Sequence, residues 1–272
     1  MILVITVVIG TLNLSVLATT DAWYPFNGNA NDESGNVYHG TVSGSTLCAD
    51  RFGTADSAYS FPNTSDYIEI PNFPSASTYV DFSAWVRLDA EGIDDGGFIL
   101  NKGKYGIPET YSILVTNTDH YPEVNVHVGG GYYNAVGTEP LVLDEWTHIR
   151  GVYNGIGPGA GLTLYVNGTR VDYTAVSGLL DQNSESLWFG VDYNNTRWAW
   201  DGSIDDVSII IPDFLEGDAN GDGVVSAGDY AAVQANFGNT NLGSSAATEV
   251  PEPATLSLLT LGGIALLRRR GK

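Results

Sequence analysis

The chain has 272 residues, with 32 acidic side chains against 11 basic ones and a net charge of −21. Residues 1–250 hold only 7 of the basic residues against 31 acidic ones, a net charge of −24. Such a surface repels nucleic acid and anionic lipid, so we exclude nucleic-acid binding. Cys48 is the only cysteine, which excludes an intrachain disulfide. This composition suits an extracellular protein that collects divalent cations.

An apolar run at the start, residues 1–18, ends in Val-Leu-Ala, small residues that are compatible with signal-peptidase cleavage after Ala18. The run lacks the usual Lys or Arg near its start. The alternative is a buried strand, but the run is long for a strand. We therefore predict a signal peptide and an exported protein.

Residues 19–212 alternate short β-type segments with Gly, Asn, Asp and Pro. In residues 82–88, apolar side chains occupy every second position, a period that marks a half-buried strand. Asn167-Gly168 favours a tight hairpin turn because both residues tolerate a positive φ. The predicted strands are residues 58–62, 67–70, 82–88, 98–101, 111–116, 124–128, 146–153, 162–166, 170–173, 187–191 and 204–211. The pattern predicts an all-β fold, either a two-sheet antiparallel sandwich or a jelly roll.

This region contains five short motifs in sequence order: WYPFNG from Trp23, His39-Gly40, Trp146-Thr147-His148, LYVNG from Leu164 and GSIDDV from Gly202. In the order and spacing of these motifs, residues 22–212 resemble the laminin-G-like, concanavalin A-like jelly-roll domains. The resemblance implies a two-sheet antiparallel jelly-roll sandwich whose first and last strands lie together.

The resemblance also implies a structural calcium ion near those strands, with Asp32, Asn36, Asp205 and Asp206 as ligands. The residues alone support this site less well. Asp205 and Asp206 are neighbours on a predicted strand, so they should point to opposite faces and at most one can reach a given ion. The alternative is that one of them caps a turn while the other is solvated.

The same fold includes glycoside hydrolases, which need two carboxylates at a fixed distance across the sugar bond. In the enzymes that this region resembles, the pair lies two or four residues apart on one strand, and no such run is present. Glu91, Asp94 and Asp95 lie in a Gly-rich loop, and Glu145 stands alone before Trp146. The histidines show no metal-ligand spacing. We predict that the protein is not an enzyme, with a secreted glycan-processing enzyme as the alternative.

Carbohydrate sites combine aromatic faces with a few polar groups, and two clusters fit that composition. The candidate ligand-binding residues are Tyr132, Tyr133, Tyr193, Trp198 and Trp200. We expect a lectin-like module that binds a polysaccharide or a surface glycoprotein. Two alternatives stay open: the aromatic side chains cover the ends of the sandwich, or the domain is a purely structural matrix module that binds only itself and calcium.

Residues 213–238 contain oxygen-bearing side chains at the spacing of a calcium-binding loop. Loop positions 1, 3, 5, 7, 9 and 12 are Asp218, Asn220, Asp222, Val224 (through its carbonyl), Ser226 and Asp229. Gly223, at position 6, allows the sharp turn. The alternative is a polar turn without an ion. The sequence therefore predicts calcium as a cofactor.

A short helix is predicted to follow the loop, with Tyr230, Val233 and Phe237 on one face. Loop and helix together resemble one half of a type I dockerin module. A full dockerin has two such units, so we do not expect cohesin binding. An isolated helix of this length is unstable in water, so we expect it to pack on the sandwich or on its loop, or to stay partly disordered.

Residues 239–249 are predicted to form a flexible linker. Residues 250–272 then contain Pro251-Glu252-Pro253, an apolar run at 254–267, and Arg268-Arg269-Arg270. This order resembles the PEP-CTERM sorting signal. It implies transient membrane insertion, processing by an exosortase and display at the cell surface, outer membrane or extracellular matrix of a Gram-negative-type bacterium. The alternative, an ordinary membrane anchor, would normally need about 20 apolar residues.

Overall fold

A computed structural model describes residues 20–89, 97–104, 107–116, 119–192, 198–211 and 227–236. Fifteen strands and one helix lie within these ranges. They are β1 Thr20–Tyr24, β2 Thr41–Ser43, β3 Thr46–Cys48, β4 Ala58–Phe61, β5 Tyr67–Ile70, β6 Tyr79–Leu88, β7 Gly97–Lys104, β8 Ile107–Val115, β9 Pro122–Val128, β10 Gly131–Val136, β11 Trp146–Asn154, β12 Gly161–Val166, β13 Thr169–Ala175, β14 Leu187–Phe189, β15 Gly202–Ile211 and α1 Ala227–Asn236.

The strands form two antiparallel sheets. The eight-stranded sheet has the order β13-β12-β11-β6-β15-β4-β3, with β1 also paired to β15. The seven-stranded sheet has the order β10-β9-β8-β7-β14-β5-β2. Since β1 pairs with β15 in the register Thr20↔Ile211 to Tyr24↔Val207, the first and last strands lie together as expected. The predicted all-β, concanavalin A-like jelly-roll sandwich is confirmed.

Alternation along the strands produces the core between the sheets. In β11 every second residue from Thr147 to Tyr153 is buried, and in β6 the buried face includes Phe82, Ala84, Val86 and Leu88, as the period-two pattern predicts. These faces meet the inward residues of the other sheet, among them Tyr111, Ile113 and Phe189, in one continuous apolar core. The outward faces of both sheets are left to carry polar and aromatic side chains.

The Asn167-Gly168 hairpin turn is present between β12 and β13. Asn167 has a φ of 49° and Gly168 a φ of 77°, the left-handed values that this turn requires of both residues. Four strands were missed in the sequence: β1, β2, β3 and β10. β2 and β3 have three residues each, too few for a period to show, and β10 was read as an aromatic cluster rather than a strand.

The chain divides into two compact units, residues 1–233 and 234–272, and only 234–236 of the second are described. Helix α1 has Asp229 in its first turn, where a negative charge is favourable. On its predicted apolar face, Tyr230 is 67% and Val233 48% exposed, and Phe237 lies outside the described residues.

Within the described ranges, no helix has the length and hydropathy to cross a membrane. The predicted signal peptide at 1–18 and the apolar run at 254–267 lie outside those ranges.

Candidate ligand-binding groove

A row of uncharged polar side chains crosses the outer face of the seven-stranded sheet. Asn101 on β7 pairs with Ser112 on β8, Ser112 with Asn125 on β9, and Asn125 with Asn134 on β10. The residues between them along each strand, such as Ile113 and Val124, belong to the core. Period-two alternation therefore places a polar ladder opposite the core.

A groove of about 410 Å³ lies on this face. Its lining combines aromatic and aliphatic side chains with carboxylates and amides: Phe98, Glu109, Leu114, Thr116, Glu123, Asn125, Tyr132, Asp192 and Trp198. A recess of this size and mixed composition is typical of small-ligand sites.

Glu123 is the centre of a hydrogen-bond network in the groove. Its Oε1 accepts from the Tyr132 hydroxyl at 2.8 Å and from Asn134 Nδ2 at 3.1 Å. With the Asn125 amide oriented to donate, its nitrogen lies 2.7 Å from the same oxygen. Burial, followed by the charge of Glu123, raises the pKa of Tyr132, so its hydroxyl stays a proton donor. These bonds fix the carboxylate and leave its other oxygen as an acceptor.

Glu109 and Asp192 supply two further carboxylates. Asn101 Nδ2 donates to the Asp192 carbonyl at 2.7 Å and to its Oδ1 at 2.9 Å, which fixes the start of the chain segment beside the groove. Burial, together with the negative charge of Asp192, raises the pKa of Glu109 to about 7, although a hydrogen bond from Ser112 acts in the opposite direction. Glu109 therefore holds a proton at mildly acidic pH.

Glu109 reaches the groove because of an irregularity in the β7–β8 pairing. Strict alternation would place it on the same side as Tyr111 and Ile113, which are fully buried in the core. The register shifts between Lys102 and Lys104, opposite this part of β8. Such bulges redirect side chains and often occur beside functional sites.

Trp198 forms an aromatic wall of the groove. Its carbonyl accepts a hydrogen bond from Phe98 N at 2.9 Å, and the two rings pack edge to face with centroids 6.0 Å apart. Its φ of 59° is rare for a bulky residue and costs on the order of 1–3 kcal/mol. Tyr132, which is packed edge to face on His127 with the ring centres 5.2 Å apart, also lines the groove. The hydrogen bond from Phe98 on β7 thus fixes the position of Trp198 beside the groove.

The structure divides the predicted ligand-binding residues. Tyr132 and Trp198 line the groove, as a ligand site requires. Trp200 is only 1% exposed and lies in the core, so its assignment as a ligand contact is wrong. Tyr133 packs against the core because it neighbours the outward-facing Tyr132 on β10 and therefore points inward. Tyr193 lies outside the described residues.

The residues proposed for a second calcium site do not fit a metal ion. Asp32 Oδ1 accepts from Trp23 N and Ser34 N, and its Oδ2 accepts from Tyr38 N, so both oxygens hold the loop that includes Asn36. The described residues contain no group of three or more His, Cys, Asp or Glu side chains that could bind a metal.

Arg51 takes the place that a cation would have between Asp205 and Asp206, donating to Oδ2 of each at 2.6 Å. Asp205 and Asp206 are neighbours on β15, yet each reaches a different nitrogen of this one guanidinium. Asp206 has a φ of 45°, and the register with β6 shifts after Asp205, so both carboxylates reach one guanidinium.

The loop proposed to bind calcium lies outside the described residues except for Asp229, which is 4% exposed within α1. The sorting-signal residues Pro251, Glu252, Pro253, Arg268, Arg269 and Arg270 also lie outside them. Calcium binding by this loop stays a prediction.

Sequence reasoning missed most of the groove, notably Phe98, Glu109, Glu123, Asn125 and Asp192. Two of them carried a signal, since Glu123 and Asn125 alternate with apolar residues in the sequence of β9. Glu109 and Asp192 carried none, because a bulge and a loop contact place them. The glycosidase pattern expected from the sequence places two carboxylates on one strand, whereas Glu109, Glu123 and Asp192 come from different elements.

Two protein-family models match the chain. Residues 62–210 match the concanavalin A-like lectin/glucanases superfamily. Residues 249–270 match the PEP-CTERM protein-sorting motif, which indicates an exported, surface-sorted protein. A search of curated proteins found no match.

Solved structures with the same fold have low sequence identity to the chain. Domain 4 of AbnA, a GH43 extracellular arabinanase from Geobacillus stearothermophilus solved with arabinotriose, is 18% identical, with a TM-score of 0.55 over 70% of this chain and 91% of that one. The binding domain of Paraclostridial Mosquitocidal Protein 1 is 16% identical, with a TM-score of 0.54 over 74% and 51%. The receptor binding domain of botulinum neurotoxin D is 16% identical, with a TM-score of 0.53 over 74% of this chain and 51% of that one. The chain spans about half the length of these two toxin domains.

Proposed function

The chain belongs to the concanavalin A-like lectin/glucanases superfamily, and from that premise we propose that its groove binds a saccharide. The protein would then act as an exported, lectin-like binding module rather than as an enzyme. The observation that carries the proposal is the combination of Trp198 and Tyr132 with the hydrogen-bonded carboxylate of Glu123 in one groove.

Each part of the groove matches a feature of a sugar. The apolar C–H face of a sugar ring packs on an aromatic ring, which contributes a large contact area at little entropic cost. Sugar hydroxyls donate to a carboxylate that is already held in position, such as Glu123. The volume of about 410 Å³ suits a short oligosaccharide segment better than a large molecular surface. The AbnA domain with bound arabinotriose supports saccharides as the first class to test.

Charge narrows the class of saccharide. Glu109, Glu123 and Asp192 all line the groove, and none of the described residues in its lining is a Lys or Arg. At neutral pH the negative charges of Glu123 and Asp192, together with the partly ionised Glu109, repel a uronic acid or a sulfated sugar. We therefore propose a neutral saccharide as the ligand.

We propose further that the exported protein is processed by an exosortase near Pro251-Glu252-Pro253 and is then displayed at the surface or in the matrix. The match to the sorting motif over residues 249–270 supports this route. The loop at residues 218–229 would bind one calcium ion, a proposal supported by its ligand spacing. Titration of the full chain with calcium, followed by calorimetry, should give one site.

The test of the groove uses a panel of neutral oligosaccharides, arabinotriose included, and measures binding by calorimetry. Trp198→Ala should weaken binding at least tenfold because it removes an aromatic wall. Tyr132→Phe keeps the ring but removes the hydroxyl that donates to Glu123, and should weaken binding severalfold. Trp200 is excluded from the test because it is a core residue.

Tyr230→Ala is the matched control, since Tyr230 is an exposed aromatic residue on α1 and should leave affinity unchanged. Failure of the unaltered chain to bind any saccharide would overturn the proposal. Equal affinities in Trp198→Ala and the unaltered chain would move the site away from the groove.

One observation favours an alternative function, glycoside hydrolysis. Glu109, with a pKa of about 7, is suited to donate a proton, and Glu123 lines the same groove as a second carboxylate. If the protein is a hydrolase, the panel should release reducing sugar, and Glu109→Gln and Glu123→Gln should each abolish that release. A binding module releases none.

A further inference from the structure

The outer face of the eight-stranded sheet carries aromatic rings that are stacked with arginines. Register places Trp85 on β6 opposite His148 on β11, and Arg87 opposite Trp146. The Arg51 guanidinium lies 4.8 Å from the centre of the Trp85 ring, and Arg87 lies 5.4 Å from that of Trp146. This face is on the opposite side of the sandwich from the groove.

A recess of about 470 Å³ opens between these rings. Trp85, Trp146 and His148 line it from the two central strands, and the hairpin turn at Asn167 and Gly168 lines it from the sheet edge. Asn167 Oδ1 accepts a hydrogen bond from His148 N at 2.9 Å, which ties the turn to β11. The recess therefore has aromatic walls and two polar side chains, an imidazole and an amide.

The aromatic walls are held in place before any ligand arrives. The centre of the Trp85 ring lies 5.2 Å from that of the His148 ring, and the Arg51 guanidinium also packs on the Trp85 ring. Arg51 is held in turn by Asp205 and Asp206. Arg87, beside Trp146, is ion-paired with Asp89 through Nε at 2.5 Å. A site whose side chains are already ordered loses less entropy on binding.

The charges around the recess indicate a neutral ligand. The arginines that contact its rings are each paired with carboxylates, so an anion would compete with bonds already made. A cation such as a quaternary ammonium group suits an aromatic cage, but here it would meet guanidinium groups beside both indole rings. Burial, with the charges of Arg150 and Arg51 adding to it, lowers the pKa of His148, so the imidazole is neutral at neutral pH.

We propose that this recess is a second saccharide-binding site, in which neutral sugar rings stack on Trp146 and Trp85 and their hydroxyls bond to His148 and Asn167. One sandwich would then hold two glycan segments, one on each sheet, and could cross-link polysaccharide chains. The site does not depend on the groove, since it uses different residues on a different sheet.

The experiment titrates the full chain with neutral oligosaccharides (cellohexaose, xylohexaose and laminarihexaose) by calorimetry. It compares Trp146→Ala, Trp198→Ala and the double variant. We expect two saccharides per chain, one in each single variant and none in the double variant. Asn167→Gly, which keeps the positive φ of the turn but removes the amide, should weaken binding at the recess severalfold. Beads coated with the bound glycan should aggregate only with the unaltered chain.

Trp146→Phe keeps an aromatic ring and covers the case in which Trp146→Ala fails to fold, as judged by its circular dichroism and melting temperature. It should retain part of the affinity at the recess. One saccharide per chain, lost in Trp198→Ala and kept in Trp146→Ala, would overturn the recess and leave the groove proposal intact. One saccharide lost only in Trp146→Ala would support the recess and overturn the groove. If Trp146→Ala abolishes self-association of the chain and leaves saccharide binding unchanged, the recess is an interface between copies and the proposal is wrong.

Discussion

Folding moves the Glu109 side chain into a site that disfavours its charged form, and Glu109→Gln removes that carboxylate. Burial and the neighbouring charge of Asp192 raise its pKa from 4.5 to about 7. Between these values the folded chain keeps a proton that the unfolded chain has lost. Stability therefore falls as pH rises through this window, because the unfolded state binds fewer protons.

The pKa difference gives the magnitude of this effect. At about 1.4 kcal/mol per pKa unit, the rise from 4.5 to about 7 corresponds to about 3 kcal/mol above pH 7. Glu109 keeps part of its surface in solvent, so we expect about 2 kcal/mol. Glu109→Gln should match the unaltered chain at pH 4.5 and exceed its free energy of unfolding by this amount at pH 8.

The assay is urea unfolding of both chains from pH 4.5 to 8.5, followed by tryptophan fluorescence. The quantity of interest is the difference between the two chains at each pH, because other titrating groups cancel in it. Glu139→Gln removes one negative charge from an exposed position and should change stability by less than about 0.5 kcal/mol. Asp192→Asn should shift the fall in stability to lower pH. A flat difference between Glu109→Gln and the unaltered chain would refute the reasoning.

Three further predictions concern other parts of the chain. A Cβ added in Gly151→Ala would lie 2.4 Å from Phe82 Cζ on the neighbouring strand, so we expect chemical unfolding to show a loss of about 1–3 kcal/mol in stability. An unchanged midpoint would show that the Phe82 ring moves aside at little cost. Arg51→Ala leaves the buried carboxylate of Asp205 without its arginine and should lower the free energy of unfolding by about 3 kcal/mol at pH 8. The loss should be smaller at pH 5, because Asp205 has a pKa of about 6 and is protonated there. Equal losses at both pH values would contradict this. Asp218→Ala combined with Asp222→Ala should lower calcium affinity and expose the segment after the sandwich to proteases while the sandwich stays folded; unchanged calcium stoichiometry and protease resistance would rule out the loop.

The fold was predictable because its signal is local. Alternating side chains mark strands whichever neighbour they pair with, and Asn167-Gly168 marks a hairpin by its own backbone preference. All eleven predicted strands are present, with ends that differ by a few residues. The two-sheet arrangement follows from burying one face of each strand.

The groove was less predictable because its residues meet through long-range contacts and irregular backbone. Asp192 belongs beside Glu109 only because β14 and β8 both flank β7 in the sheet. Glu109 faces outward only because the register shifts. The failure of the second calcium site has the same origin: a left-handed residue at Asp206 lets one arginine reach two carboxylates. Trp200 illustrates the limit of composition, which cannot distinguish a core tryptophan from a ligand-binding one.

The position of β15 has a consequence for export. This strand lies between β6 on one side and β1 and β4 on the other, so the eight-stranded sheet is not continuous until Gly202–Ile211 has joined it. A chain that crosses a membrane from its N-terminus delivers β15 last among the strands of the sandwich. Until then β1 lacks its partner, and the sheet cannot close by pairing of neighbouring segments. The eight-stranded sheet can therefore be completed on the far side of the membrane only after the last strand of the sandwich has emerged.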